Sequence, residues 1–146
     1  MKEVIDDYCN SVAPAGYLFS ELLNIREATD FTFGLETYSL IEQYIRNIMD
    51  CHESCDLRLL HVLYQHKILW LERVKYLRTN NYISANIADE LINMASSLVH
   101  RADILRKYAI KYDLTDRTNS LSEILLLLPE IKGMDKALCE KLLTVL

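Results

Sequence analysis

The sequence predicts an all-α fold, a helical bundle built around a long antiparallel hairpin, and three observations support this. Apolar residues recur three and four positions apart through most of the chain, the spacing of one face of an α-helix. Only three glycines and two prolines interrupt the 146 residues, so turns are few and the helices should be long. Alternation with a period of two is confined to a few residues around 31–35, and no strand is expected.

The hairpin is predicted to pair helices at about residues 55–78 and 84–112. RTNNY at 78–82 has the composition of a turn, and Ser84 can cap the second helix. Two such long helices joined by so short a polar link should lie antiparallel. The first helix is apolar around most of its circumference, and its polar residues fall in one narrow sector: Arg58, His61, Gln65 and Glu72.

Shorter helices are predicted on either side of the hairpin. At the N-terminal side they cover about residues 3–12, 17–25 and 33–50, with Pro14 and Gly16 ending the first. In the third, Glu42, Arg46 and Asp50 share the outer face, where the arginine can pair with either carboxylate.

The C-terminal part is predicted to contain two helices. Ser120 and Glu123 have the spacing of a capping box at the start of the first, and Pro129 should end it. Asp135 should cap the last helix, which ends at Leu146.

Length and composition predict one soluble intracellular domain, residues 1–146, in the reducing cytoplasm. The N-terminus is acidic where a signal peptide would be apolar, and no stretch is apolar for long enough to cross a membrane. The cysteines are even in number but are therefore expected to remain as thiols. They are Cys9, Cys51, Cys55 and Cys139. No cofactor is predicted.

Charge is unevenly distributed in this chain of net charge −5. Residues 1–56 carry 11 acidic and 3 basic side chains, whereas residues 57–113 carry 5 and 9. The two parts could attract one another within the fold. Alternatively, a patch of cations could bind RNA or DNA: Arg73, Lys75, Arg78, Arg101, Arg106, Lys107 and Lys111.

Cys51, His52 and Cys55 are candidate metal ligands, since thiolates and imidazoles at this spacing bind zinc. A zinc site needs a fourth ligand, and Cys9 and Cys139 are isolated in sequence. The preferred interpretation is that the cysteines fill a junction between helices, so no metal is predicted.

Arg46 and His52 are candidate catalytic residues, because histidine moves protons near neutral pH and arginine stabilises charge on phosphate. Their Arg-x5-His spacing resembles the signature of HEPN-type ribonucleases, small helical proteins. This resemblance implies a small RNA-acting enzyme, an alternative to a protein without catalytic activity.

The segment LPEIKGMDKALCEKLL at 128–143 resembles a helix-hairpin-helix, a unit that presents the backbone amides of a turn to DNA phosphates. Gly133 and Asp135 stand where that turn usually carries two glycines. The alternative is an ordinary pair of helices with an aspartate cap.

Residues 15–36 and 119–133, AGYLFSELLNIREATDFTFGLE and NSLSEILLLLPEIKG, resemble helices of the poxviral Bcl-2-like proteins. These compact helical modules bind host signalling proteins. The resemblance implies, as a further alternative, a viral modulator of host signalling.

The function predicted from these observations is non-catalytic binding of a protein partner, as an adaptor, regulator or complex subunit, or self-association into a homo-oligomer. The abundance of amphipathic helix favours an exposed apolar helix face as the contact surface. The residues predicted to form it lie near the C-terminus: Leu127, Leu128, Leu142, Leu143 and Leu146.

Overall fold

The computed structural model describes residues 2–11, 32, 34–51 and 54–146. These residues form five α-helices and no strand, which confirms the predicted all-α class. The predicted helix at 17–25 lies outside the described residues. The helices are α1 (Lys2–Cys9), α2 (Thr37–Cys51), α3 (Leu57–Thr79), α4 (Ala85–Thr115) and α5 (Asn119–Val145), with a 3-10 turn at Gly34–Glu36 before α2.

The predicted hairpin is confirmed, with α3 and α4 packed along one another. Asp56 caps α3, since its carboxylate accepts a hydrogen bond from the Arg58 amide at 3.0 Å. The turn after α3 contains Asn81 at φ 57°, a left-handed conformation that asparagine tolerates well. Ser84 is the N-cap residue of α4 but makes no side-chain hydrogen bond there.

Apart from Ser120 and Cys139 on α5, the buried residues of the four longer helices follow one another at alternating steps of three and four, a heptad pattern typical of helix bundles. They are Tyr38, Ile41, Ile45 and Ile48 on α2, Leu60, Leu63, Lys67, Trp70, Val74 and Leu77 on α3, Ala88, Leu91, Ala95, Leu98, Ala102, Leu105, Ala109 and Tyr112 on α4, and Leu121, Ile124, Leu128, Ile131, Asp135, Leu138 and Leu142 on α5.

Alanine occupies every second core position of α4: Ala88, Ala95, Ala102 and Ala109, each at most 1% exposed. Leucine or tyrosine fills the positions between them. The small side chains let α4 lie close to its neighbours, and α4 packs against both α3 and α5.

The prediction of two C-terminal helices is wrong, because α5 continues from Asn119 through Pro129 to Val145. Pro129 is exposed and costs the helix one backbone hydrogen bond, while the apolar heptad pattern continues on both sides of it. The predicted capping box is also wrong. The N-cap is Thr118, two residues earlier, and Ser120 is 3% exposed among core residues.

A second consequence of the continuous α5 is that residues 128–143 contain no turn. The helix-hairpin-helix interpretation is therefore wrong. Asp135 caps nothing, because it lies in the interior of α5 and is fully buried.

The 3-10 turn holds α1 in place. Gly34 has φ +57°, and a side chain there would collide with the carbonyl oxygen of Tyr8 on α1. Glycine thus permits both the turn and the close approach. Ile5 is buried on α1, which packs against this turn and α5, and the hydroxyl of Tyr8 reaches Lys67 on α3 and Asp135 on α5.

Candidate functional site

The residues around the α2–α3 junction do not assemble a site within the described part of the chain. Arg46 lies on the outer face of α2, where its guanidinium pairs with Glu42 at 2.7 Å, as predicted. Cys51 is exposed and Cys55 is buried, so the two thiols have different surroundings. His52 lies outside the described residues. No group of three possible metal ligands occurs among the residues that are described.

The leucines predicted to bind a partner are largely part of the core. Leu128 and Leu142 are 2% and 1% exposed, so that part of the predicted contact surface is wrong. They occupy heptad positions that face the other helices. Leu127 and Leu143 are half-buried against the same core, and Leu146, 36% exposed, is the most accessible of the five.

Most cations of the predicted basic patch are neutralised by nearby carboxylates. Lys75 pairs with Glu72, Arg78 with Asp89, Arg101 with Glu130, and both Arg106 and Lys107 with Asp103. These pairs lie within or between α3, α4 and α5. Five of the seven cations thus have a carboxylate partner, whereas Arg73 and Lys111 pair with no described carboxylate.

The least expected feature of the core is a fully buried ion pair between α3 and α5. Lys67 Nζ lies 2.5 Å from Asp135 Oδ2, and both side chains are 0% exposed. Two tyrosines donate hydrogen bonds to the same carboxylate oxygen, Tyr8 at 2.5 Å and Tyr38 at 3.0 Å. The ion pair and the two tyrosines together therefore join four helices: α1, α2, α3 and α5.

The surroundings of Lys67 compensate for much of its desolvation. Its ammonium also contacts Tyr8 Oη at 3.0 Å and lies 5.4 and 5.3 Å from the ring centroids of Tyr8 and Tyr38. Burial lowers the pKa of Lys67, and the charge of Asp135 opposes that shift. Asp135 Oδ1 makes no hydrogen bond to any described residue.

The two tyrosines are held in their neutral, hydrogen-bond-donating form. The pKa of Tyr8 and that of Tyr38 are raised, first by burial and then by the negative charge of Asp135. A substrate could not reach the ion pair without displacing the elements around it, since no part of either charged side chain meets solvent. The cluster is thus suited to holding helices together and unsuited to catalysis in this conformation.

Sequence reasoning missed Lys67 and placed Asp135 at a helix end. A signal was present: both residues continue the alternating three and four spacing of the apolar residues around them. One is positive and the other negative, as pairing between two helices requires.

His66 lies beside this cluster, and its pKa is also shifted. Its ring packs against Tyr8 and Trp70, with centroid distances of 5.2 and 6.0 Å, and Nδ1 lies 3.1 Å from Lys67 Nζ. Burial, followed by the positive charge of Lys67, lowers the pKa of His66 from 6.5 to about 4. The folded protein therefore keeps this imidazole neutral at pH values where the unfolded chain protonates it.

We expect His66 to make the fold sensitive to mild acid. The neutral, buried imidazole contributes to the free energy of unfolding. This contribution is fully present above pH 6.5 and is lost as the pH falls toward 4, because only the unfolded state binds the proton in this range. Between pH 7 and pH 4.5 the loss should be about 2 kcal/mol. Urea denaturation gives the free energy of unfolding of the wild type and of His66→Gln at both pH values. The wild type should lose more of it on acidification, and the difference between the two losses is the contribution of His66.

His100→Gln is the matched control, because His100 is exposed on α4. It should lose as much stability on acidification as the wild type. An equal loss in His66→Gln and the wild type would contradict the proposed role of His66.

An exposed apolar strip runs along α3 on the side that faces away from its core residues. Val62, Leu69 and Tyr76 are 65%, 52% and 55% exposed and recur every seven residues, so they lie on one line about 21 Å long. Leu59, 37% exposed, lies one turn before Val62, at the edge of this line nearer the core. These four residues are called the α3 strip below.

The borders of the α3 strip are formed by other contacts. His66 and Arg73 lie between the strip and the core, and Tyr8 of α1 packs on His66. At the far end the ring of Tyr82 lies 6.2 Å from that of Tyr76. The predicted polar sector of α3, which includes Arg58 and Glu72, is exposed as expected and borders the opposite side.

A groove of about 590 Å³ between α4 and α5 is more polar than the α3 strip. The Arg101–Glu130 ion pair, at 3.0 Å, lies within it. No hydrogen bond among the described residues joins its histidine to either of its serines. Its lining residues are Ser96, Ser97, His100, Arg101, Glu130 and Met134.

Comparisons with known proteins give no relative: no family model matches the chain, and neither the curated proteins nor the solved structures include a match. None of the described helices is long and apolar enough to cross a membrane.

Proposed function

We propose that this protein is a non-catalytic helical interaction module that binds an amphipathic helix of a protein partner along the α3 strip. The observation that carries the proposal is the line of exposed apolar side chains at Val62, Leu69 and Tyr76. Apolar anchors on an amphipathic helix recur at alternating steps of three and four residues, which together make seven. Such a partner can therefore contact side chains that lie seven residues apart on α3.

The strip replaces the C-terminal leucines as the proposed contact surface. Leu128 and Leu142 are committed to the core, whereas about half of each strip side chain remains in contact with solvent. Fully burying an exposed leucine, valine or tyrosine side chain contributes about 1.5–3 kcal/mol. Covering the four half-exposed residues therefore offers roughly 4 kcal/mol before the costs of association.

The arrangement of chemically active groups favours binding over catalysis. Lys67 and Asp135 are inaccessible and pair with one another, while Arg46 pairs with Glu42. All four cysteines lie in the described part and are free thiols.

The proposal is tested by selecting helices from a phage-displayed library. The library carries apolar residues at alternating steps of three and four, with Glu, Lys and Gln equally frequent at the flanking positions. We expect helices that bind the wild type and bind Val62→Ser/Leu69→Ser at least tenfold more weakly, since each substitution removes about 1 kcal/mol of apolar burial. Calorimetry on the selected peptides gives the dissociation constants.

The matched control is Leu114→Ser/Leu126→Ser, which removes two exposed leucines from α4 and α5, 78% and 71% exposed. This variant should bind the selected peptides as the wild type does. Equal weakening in the two variants, or a selection that yields no helix, would refute the proposed function.

A further inference from the structure

Arg73 differs from the other exposed cations of α3. Arg58 pairs with Asp56, Lys75 with Glu72 and Arg78 with Asp89, at 2.7, 2.7 and 3.0 Å. No described carboxylate pairs with Arg73. Its guanidinium instead lies 5.3 Å from the ring centroid of Trp70, a cation–π contact that leaves its donors available.

The position of Arg73 couples this charge to the α3 strip. It lies four residues after Leu69 and three before Tyr76, so its side chain is next to both on the helix surface. It is exposed. A helix that covers Leu69 and Tyr76 would pass directly beside the guanidinium.

We infer that the partner helix is acidic on one flank and places a carboxylate against Arg73. This inference rests on the proposed function, because it names the chemistry of the helix that the α3 strip binds. Arginine binds carboxylates through two parallel hydrogen bonds, which fixes the register and direction of the partner as well as adding affinity.

A second copy of this chain does not suit the same surface. Three of the four exposed cations of α3, Arg58, Lys75 and Arg78, already pair with carboxylates, so the charge left over is that of Arg73. A symmetric pairing of two α3 helices would bring together two surfaces with the same surplus positive charge and would offer Arg73 no unpaired carboxylate of α3. An acidic partner helix is favoured by the same charges.

The experiment uses the same displayed library against the full-length chain, followed by charge exchange. Glu should be enriched over Lys at one flanking position. For the peptide selected most often, Arg73→Glu in the protein should weaken binding about 5- to 10-fold at 50 mM salt. Changing that Glu of the peptide to Lys should restore binding to Arg73→Glu within about threefold.

Lys111→Glu is the matched control, since Lys111 is an exposed cation on α4 that no described acid pairs with. It should leave binding of the acidic peptide within twofold of the wild type, allowing for a long-range effect of charge.

The outcomes separate this inference from the proposed function. Helices selected without preference for Glu, or no restoration on charge exchange, would overturn the inference and leave the α3 strip as a binding surface. A wild-type dimer in sedimentation at 100 µM that Leu69→Ser dissociates would also overturn it, since a second copy would then occupy the strip. If no helix binds, both proposals fail.

Discussion

Lys67→Met is expected to destabilise the protein by about 3–5 kcal/mol, because it leaves the Asp135 carboxylate buried without a counter-charge. Methionine has nearly the shape of the lysine stem, so the loss reports the charge more than the packing. In a chain of this length the melting temperature should fall by roughly 10 °C. Urea denaturation followed by circular dichroism measures the free energy of unfolding.

Two further variants define the origin of this loss. Lys67→Met/Asp135→Leu removes both charges and should recover most of the stability, since replacing a buried pair by apolar residues is often neutral. Lys75→Met breaks an exposed pair with Glu72 and should cost less than about 1 kcal/mol. A loss below 1 kcal/mol for Lys67→Met itself would show that the pair is not buried as described.

Ala95→Leu/Ala102→Leu is expected to destabilise the bundle by about 2–6 kcal/mol, because each substitution adds three carbon atoms to a core position that is 0–1% exposed. Alanine recurs every seven residues on α4, where neighbouring helices approach from more than one side. Thermal denaturation should show a lower melting temperature, and crystals or nuclear magnetic resonance spectra should show displaced helices.

Ala137→Leu is the matched control, since Ala137 is exposed in the interior of α5. It should change the free energy of unfolding by less than about 0.5 kcal/mol. A stable Ala95→Leu/Ala102→Leu variant with an unchanged structure would contradict the close packing of α4.

The helices and the hairpin could be predicted from the sequence because they depend on local patterns. The apolar spacing, the RTNNY turn and the scarcity of glycine and proline act within a few residues of where they occur. The same local patterns gave the wrong result at Pro129, where packing of apolar residues on both sides of the proline outweighs one lost hydrogen bond.

The buried pair could not be predicted in the same way, because its burial depends on two helices distant in sequence. A lysine or aspartate alone in a core position would be expelled or neutralised. Lys67 is tolerated because Asp135 lies 68 residues away in the chain and 2.5 Å away in space. Asp135 also follows Gly133 and Pro129, whose usual association with helix ends concealed its place in the core.

The α3 strip could not be predicted from the sequence either, for a different reason. Apolar residues surround most of α3, so the sequence alone could not distinguish those that face the bundle from those that face solvent. The packing of α4 and α1 makes this distinction: Leu63 and Trp70 are covered, whereas Val62 and Leu69 remain exposed.

The heptad pattern of α3 and α5 repeats itself every seven residues, so purely apolar helices could slide past one another by about 10 Å and bury equivalent surfaces. Lys67 and Asp135 each occur once in that pattern. Any such slide would place a lone ammonium and a lone carboxylate among leucines and isoleucines, at a cost of several kcal/mol for each charge. A single pair of charges thereby removes the degeneracy of the repeat and leaves one alignment of the helices far below its alternatives in energy.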